Sequence, residues 1–360
     1  MIFPCFRKRK TKVSELDQEI SFYENTLKNN GFPVLFTTHH LCLAAGMNVK
    51  RVLNMCNSDR KQSYKRFKLK KRRGGYRIIH TPISEIKYLQ RWILIHILDK
   101  ADSSDVCCGL EKGKSIILNA EAHLGANAIL KMDLKRFYDT INERRIYGIF
   151  RAFGYHPNLA VDLAKICTVV PDSSFINSFK EDEFYLKEAI LQHVEGMLPQ
   201  GAPTSPKLSN LTAKHLDKRL LGLATAYGAS FSRYADDLTF SGEYKDLKHI
   251  KKIAKYIIRD ESFFVNHHKT RIIKKGGKMR VTGINVENGK PQVPKKTKDM
   301  IEFHLHHCNT NGVANHMQIA GIQKRNFKEW LYGYICFVNS VEPDVGKDYF
   351  LKYEKIEWPL

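Results

Sequence analysis

The stretch Ser232-Arg233-Tyr234-Ala235-Asp236-Asp237-Leu238-Thr239-Phe240-Ser241 sets two adjacent carboxylates at the centre of an alternating, strand-like run. Phe231 and Arg233 alternate before the pair, and Leu238 and Phe240 after it. This predicts two short strands with Ala235-Asp236-Asp237 at the turn between them. Like charges held side by side repel, and a bound cation or a shared proton is the usual relief. A solvated polar turn is the plain alternative, and the rest of the chain has to decide between the two.

The chain has 360 residues, 43% of them apolar, enough for a large core and two or three subdomains. Lys and Arg number 59 against 37 Asp and Glu, a formal charge of +22. That excess suits a polyanion. An anionic membrane is the competitor, but no apolar run approaches the ~20 residues of a spanning helix and no basic amphipathic helix stands out, so nucleic acid is the expected partner. Eight scattered cysteines without a Cys-x-x-Cys, and no signal peptide before them, predict reduced thiols in a cytoplasmic protein. Arg7-Lys8-Arg9-Lys10 reads as a solvated basic terminus, with a targeting signal or a phosphate-contacting arm as alternatives.

Residues 14–60 read as helical, with Leu16, Ile20 and Tyr23 in helical spacing, a break at Gly31-Phe32-Pro33, and Thr37 or Thr38 capping a second stretch that carries Leu41, Leu43, Ala44, Val49 and Leu53. Tyr64 to Pro82 interleaves bases with aromatics about Gly74-Gly75 and predicts a basic, phosphate-facing hairpin. Ile86, Leu89, Trp92, Ile93, Ile97 and Leu98 then predict one long helix with a buried face.

Further on, Ala128-Ile129-Leu130-Lys131-Met132-Asp133 ends an apolar strand on an aspartate, with Phe137-Tyr138 close behind. Leu198-Pro199-Gln200-Gly201-Ala202-Pro203 dictates a shaped loop that enters a helix bearing Leu208, Leu211, Ala213, Leu216 and Leu220. The start of such a helix suits an anionic ligand. Asp133 with Phe137-Tyr138, then Leu198-Pro199-Gln200-Gly201, then Tyr234-Ala235-Asp236-Asp237, in this order, resemble the palm of a reverse transcriptase. Asn119-Ala120-Glu121-Ala122-His123 and Val281-Thr282-Gly283 match the Asn-Ala-x-x-His and Val-Thr-Gly elements of retron reverse transcriptases. The resemblance runs from about Tyr64 to about Lys295 and continues more loosely to the C-terminus.

It implies an α+β right-hand polymerase: an N-terminal helical extension at 1–60, fingers with part of the fingers/palm junction at 61–125, an antiparallel-sheet palm with retron-specific elements at 126–290, and a helical thumb at 291–360. The chemistry explains the acids separately. Nucleotidyl transfer by two metals needs carboxylates from more than one segment, converging on cations about 3.5–4 Å apart. Asp133 and Asp236 are the expected main ligands of two Mg²⁺ ions, with Mn²⁺ as substitute, and Asp237 a supporting catalytic carboxylate.

Carried over residue by residue, Tyr138 matches the aromatic under the sugar, with core packing as its alternative. Gln200 matches the loop glutamine on the incoming dNTP and Arg77 the arginine that reaches its triphosphate. Lys269, in Asn266-His267-His268-Lys269-Thr270, would lie near the phosphates. Asn119 and His123, like Val281, Thr282 and Gly283, are assigned to family-specific architecture or RNA contact. The histidines and cysteine of 304–308 are too contiguous for a zinc site and read as part of an amphipathic thumb helix.

The resemblance further implies a cognate structured non-coding RNA copied in part into single-stranded DNA, a 2′–5′ branched RNA–DNA product, antiphage defence, an accessory effector protein and no membrane partner. Another bacterial reverse transcriptase, group II intron-like or defence-associated, and a catalytically inactive RNA-binding protein of the same fold are the alternatives.

Overall fold

The structure, a computed structural model, describes residues 15–58, 60–70, 76–191 and 196–359. The basic cluster at 7–10 and the Gly74-Gly75 turn lie outside them. The chain divides into two compact units, Met1–Ser103 with Arg136–Ala213, and Ser104–Lys135 with Lys214–Leu360.

The first unit is mostly helical. Its opening helix, Glu15–Asn29, stops where Gly31 takes φ 76°. Thr37 caps the next helix, Thr38–Ala44, by accepting a hydrogen bond from the His40 amide at 3.2 Å. The second helical stretch breaks again: Gly46, at φ 65°, ends that helix and Asn48 caps another, Val49–Cys56. An antiparallel ribbon follows, β1 (Tyr64–Lys70) and β2 (Tyr76–Pro82), registered from Tyr64↔Pro82 to Lys70↔Tyr76. Lys65 to Lys70 are all exposed, Phe67 and Leu69 among them, so both faces of β1 meet solvent. The helix expected through Leu98 is shorter. It runs Ser84–His96 and tightens into a 3-10 turn at Leu98–Lys100.

The second unit is built on a four-stranded antiparallel sheet in the order β4-β5-β3-β6, made of β3 (Ala128–Asp133), β4 (Ser230–Tyr234), β5 (Asp237–Gly242) and β6 (Arg271–Lys274). β3 is central because it is apolar on both faces, with five of its six residues buried. The helix Tyr244–Asp260 packs on β3, β5 and β6 and buries Leu247, Ile250, Ala254 and Ile258 at helical spacing. A short hairpin, β7 (Arg280–Val281) and β8 (Ile284–Asn285), shares a separate small core with Ala120 and Ile129.

Beyond residue 293, the helices Lys295–Asn311, Val313–Ile319, Phe327–Val341 and Pro343–Glu354 enclose a core of Ile301, Leu305, Phe327, Leu331, Ile335 and Val338. Gly346 lets the last two touch, since a Cβ there would lie 2.3 Å from Asn339 Cα. His304 and His316 sit inside this bundle, ring to ring at 2.8 Å, as packed side chains. Among the described residues no helix is long and apolar enough to cross a membrane.

Candidate active site

The acidic pair sits at the tip of the β4–β5 hairpin. Tyr234 pairs with Asp237, so the turn is the two residues Ala235 and Asp236, and Asp237 is the first residue of β5. The three-residue turn expected from the alternation is thus one residue shorter. Ala235 has φ 55°, the left-handed region in which a side chain costs about 1 kcal/mol or more.

That conformation is held by Arg233. Its guanidinium is fully buried, donates from Nε and Nη2 to Asp217 at 2.6 and 2.7 Å, and from Nη1 to the Ala235 carbonyl at 3.1 Å. A bidentate pair of this kind fixes direction as well as charge. The outer edge of β4 is covered by residues 106–108, through Arg233 N to Val106 O and Cys108 N to Arg233 O, each 2.8 Å. Asp217 escapes sequence reading because it lies on the helix Lys214–Ala226, away from every motif. The one signal for Arg233 is a cation at an inward-facing strand position.

β3 delivers the third acid. Its register with β5 places Asp133 directly opposite Asp237, where cross-strand Cβ atoms lie about 5 Å apart and like charges repel. The Leu134 amide donates to the Asp236 carbonyl at 2.9 Å, fixing the turn against the end of β3. Asp133 itself is buried and doubly engaged, with Asn266 Nδ2 2.9 Å from Oδ1 and Lys269 Nζ 2.7 Å from Oδ2. The 3-10 turn His267–Lys269 brings these two donors together.

Burial, reinforced by Asp133 and Asp237, pushes the Asp236 carboxyl up to about 6. Burial also raises Asp237, against the pull of Lys131. Burial lowers Lys131 in turn. The site therefore holds its acids at a cost that a cation would relieve, and its donors are hard oxygens suited to a divalent ion. Among the described residues no three His, Cys, Asp or Glu side chains already converge as a metal cage. The Lys269 ammonium meets Asp133 instead.

Tyr138, Gln200 and Arg77 belong to the first unit. Tyr138 and Gln200 line one cavity of about 370 Å³, together with Lys87, Arg91, Gly201 and Pro206. Arg77 does not line it; it lies exposed on β2 opposite Leu69. Gly201 takes φ 126°, and a Cβ there would meet Ile79 Cγ2 at 2.8 Å, while the Gln200 carbonyl accepts from His80 N at 2.9 Å. The loop is thereby fastened to β2. Lys87 and Arg91, one helical turn apart, were not evident from a helix read only for its buried face.

The family model for reverse transcriptase (RNA-dependent DNA polymerase) matches residues 68–286. The retron Ec86 reverse transcriptase of Escherichia coli is 30% identical over 339 residues, covering 91% of this chain and 96% of that protein. This chain belongs to the retron reverse transcriptases. It is by family an RNA-directed DNA polymerase of the right-hand fold class. The retron Mx65 reverse transcriptase of Myxococcus xanthus is 36% identical over 270 residues, 73% of this chain; the chain spans 61% of that relative's length. A telomerase structure from Candida albicans, with a fragment of telomeric RNA, is similar at a TM-score of 0.44 and 12% identity over 81% of this chain and 56% of that one, too slight a likeness to build on.

The Asn119-to-His123 and Val281-to-Gly283 elements, assigned above by resemblance, both lie in the second unit. Asn119 and His123 are each 1% exposed, and their side chains meet the β4–β5 hairpin at Ser232 and Ser241. Ala120 packs with Val281, Ile284 and Val286. Thr282 and Gly283 both have positive φ, 47° and 92°, as the two-residue turn between β7 and β8 requires. Thr282, a β-branched residue unusual in that region, is tied down by its hydroxyl, which donates to the Ile116 carbonyl at 3.0 Å.

Proposed function

We propose that this reverse transcriptase binds its cognate structured non-coding RNA and copies part of it into single-stranded DNA, leaving a 2′–5′ branched RNA–DNA product. The observation that carries the catalytic reading is the register of β3 with β5, which sets Asp133 against Asp237 beside the Asp236 turn. Asp133 and Asp236 would hold Mg²⁺, or Mn²⁺ in its place, with Asp237 in support. Bound there, divalent cations supply Lewis acidity toward the primer hydroxyl and the triphosphate.

The chain's own part is placement. Asn266 and Lys269 orient the Asp133 carboxylate, and Arg233 holds the turn that presents Asp236. The hydroxyl, a guanosine 2′-OH in the first cycle, gives up its proton to solvent, and its oxygen forms a bond to the α-phosphorus of the dNTP as the bond from that phosphorus to the oxygen bridging it to the β-phosphate breaks. Pyrophosphate leaves with the electron pair, and Lys269 lies close enough to the acids to meet its charge. By the family resemblance, Tyr138 would lie under the sugar, Gln200 would contact the incoming nucleotide, and Arg77 would reach its triphosphate.

The formal charge of +22 and the exposed bases of β1 support an RNA partner. By analogy with the family, the product acts in antiphage defence with an accessory effector, in the cytoplasm. The test expresses the chain with its flanking genomic DNA and compares the wild type with the Asp236→Asn/Asp237→Asn pair. RNA-linked single-stranded DNA is expected from the wild type alone. Its absence from the wild type refutes the retron reading, and its presence in both refutes the catalytic one.

A further inference from the structure

His123 lies across the catalytic hairpin, its Nε2 2.7 Å from Ser232 Oγ on β4 and its Nδ1 2.7 Å from Ser241 Oγ on β5. The two serines are diagonal neighbours on one face of the sheet, four residues before Asp236 and four after Asp237 (236 − 232 and 241 − 237). Burial keeps the His123 imidazole neutral, pushing its pKa down to about 4, and for a neutral ring valence fixes the direction of each bond. Ser232 donates its single hydroxyl proton to Asn119 Oδ1 at 2.7 Å, so toward His123 it accepts, and Nε2 must carry the ring proton. Nδ1 is then the acceptor for the Ser241 hydroxyl. Asn119 Nδ2 continues to Thr282 Oγ1, a long contact of 3.5 Å, and Thr282 donates to the Ile116 carbonyl.

One directed chain therefore runs from Ser241 through His123, Ser232, Asn119 and Thr282 to the backbone of the helix Ile116–Glu121. Asn119, His123 and Ser232 are each 1% exposed and Ser241 4%, so none of these four offers a face to a bound RNA. A buried network in which every side chain is hydrogen-bonded to the next specifies one arrangement of the elements it joins.

Resting on the polymerase reading above, we infer that Asn119, His123, Ser232, Ser241 and Thr282 are positioning residues that set the catalytic hairpin, and that the Asn-Ala-x-x-His and Val-Thr-Gly elements are two ends of this single device. They act through Asp236 and Asp237 and touch neither nucleotide nor RNA. Both strands are gripped by one ring, so a shift of either moves the acids relative to Asp133. A misplacement of about 1 Å at reacting groups costs on the order of 100-fold in rate.

The test measures primer extension on the full chain. His123→Leu should lower kcat by roughly 10- to 100-fold, raise the Mg²⁺ concentration needed for half-maximal rate, and leave the dNTP KM and RNA affinity within about twofold. His123→Gln, which keeps one donor and one acceptor, should recover part of the loss. The triple change His123→Leu/Ser232→Ala/Ser241→Ala removes the orphaned hydroxyls, though it leaves Asn119 Oδ1 without its donor, and should recover part of the thermal midpoint but not kcat or the Mg²⁺ dependence. Recovery of wild-type kcat by that triple variant, or loss of RNA affinity with kcat intact in His123→Leu, overturns the inference.

A second readout needs no variant to fold. Nitrogen-15 NMR of histidine-labelled wild type should show His123 neutral with its proton on Nε2 at pH 7, and an Nδ1–H tautomer or an imidazolium overturns the network. A wild type that incorporates no nucleotide refutes the polymerase reading instead, and leaves the tautomer to judge the network alone.

Discussion

Asp236→Asn should make the metal-free protein more stable while abolishing synthesis. The wild-type carboxyl is raised from 3.8 to about 6 by burial and by its two acidic neighbours. A folded-state pKa above the ordinary one means that the stability the group contributes is present below about pH 4 and is lost as pH rises through about 6. Two pKa units correspond to about 3 kcal/mol. Solvent screening at a half-buried turn reduces this, so a gain of about 2 kcal/mol is expected for the uncharged amide at pH 7.5.

The assay is thermal or urea unfolding in EDTA at pH 7.5 and again at pH 4. At pH 7.5 the variant should unfold a few degrees higher than the wild type, and at pH 4 the two should coincide. Titrating Mg²⁺ should then raise the wild type and leave the variant nearly unmoved, closing the gap, since a ligand of the native state stabilises by about 2.7 kcal/mol at 100 times its Kd. A variant less stable than wild type in EDTA at pH 7.5, or a gap that does not change with pH, would refute the picture of a self-repelling acid cluster.

Two other perturbations follow from the structure. Asp217→Asn leaves the Arg233 guanidinium buried without its counter-charge, which should cost about 3–5 kcal/mol in urea unfolding and reduce synthesis although the residue touches no substrate. Replacing Lys68 and Lys70 on the exposed ribbon with Gln should flatten the log–log salt dependence of RNA binding by about 1.4 if each meets one phosphate of a single strand, and an unchanged slope in a salt titration would remove the ribbon from the RNA path.

Much of the fold was legible because its signals are local. The alternation around Asp236 and Asp237, the apolar run into Asp133 and the helical spacing of Ile86, Leu89 and Ile93 each encode one element. The breaks at Gly46 and Ile97 were missed, since the apolar spacing continues across both while the backbone does not. The candidate site was legible in its acids, which the chemistry demands in plain view. It was hidden in what holds them. Arg233 and Asp217 are 16 positions apart, Ser232 and His123 are 109 apart, and no periodicity connects residues that meet only after the sheet has formed. Lys87 and Arg91 were overlooked for a different reason: an exposed base on a helix looks like any other until a cavity is found beneath it.

The central place of β3 also has a bearing on how the enzyme is made. Its hydrogen-bonding edges are satisfied by β5 and β6, the latter through Lys131↔Arg271, 140 positions later in the chain (271 − 131). At the ribosome, at about 5–20 residues per second, that interval lasts about 7–28 s, during which an apolar strand waits with at least one edge open. Such a segment is prone to pair with another nascent chain. Yield should therefore respond to translation speed and to chaperones between residues 134 and 274 more than anywhere else, and a nascent polymerase can copy nothing until its last palm strand has emerged.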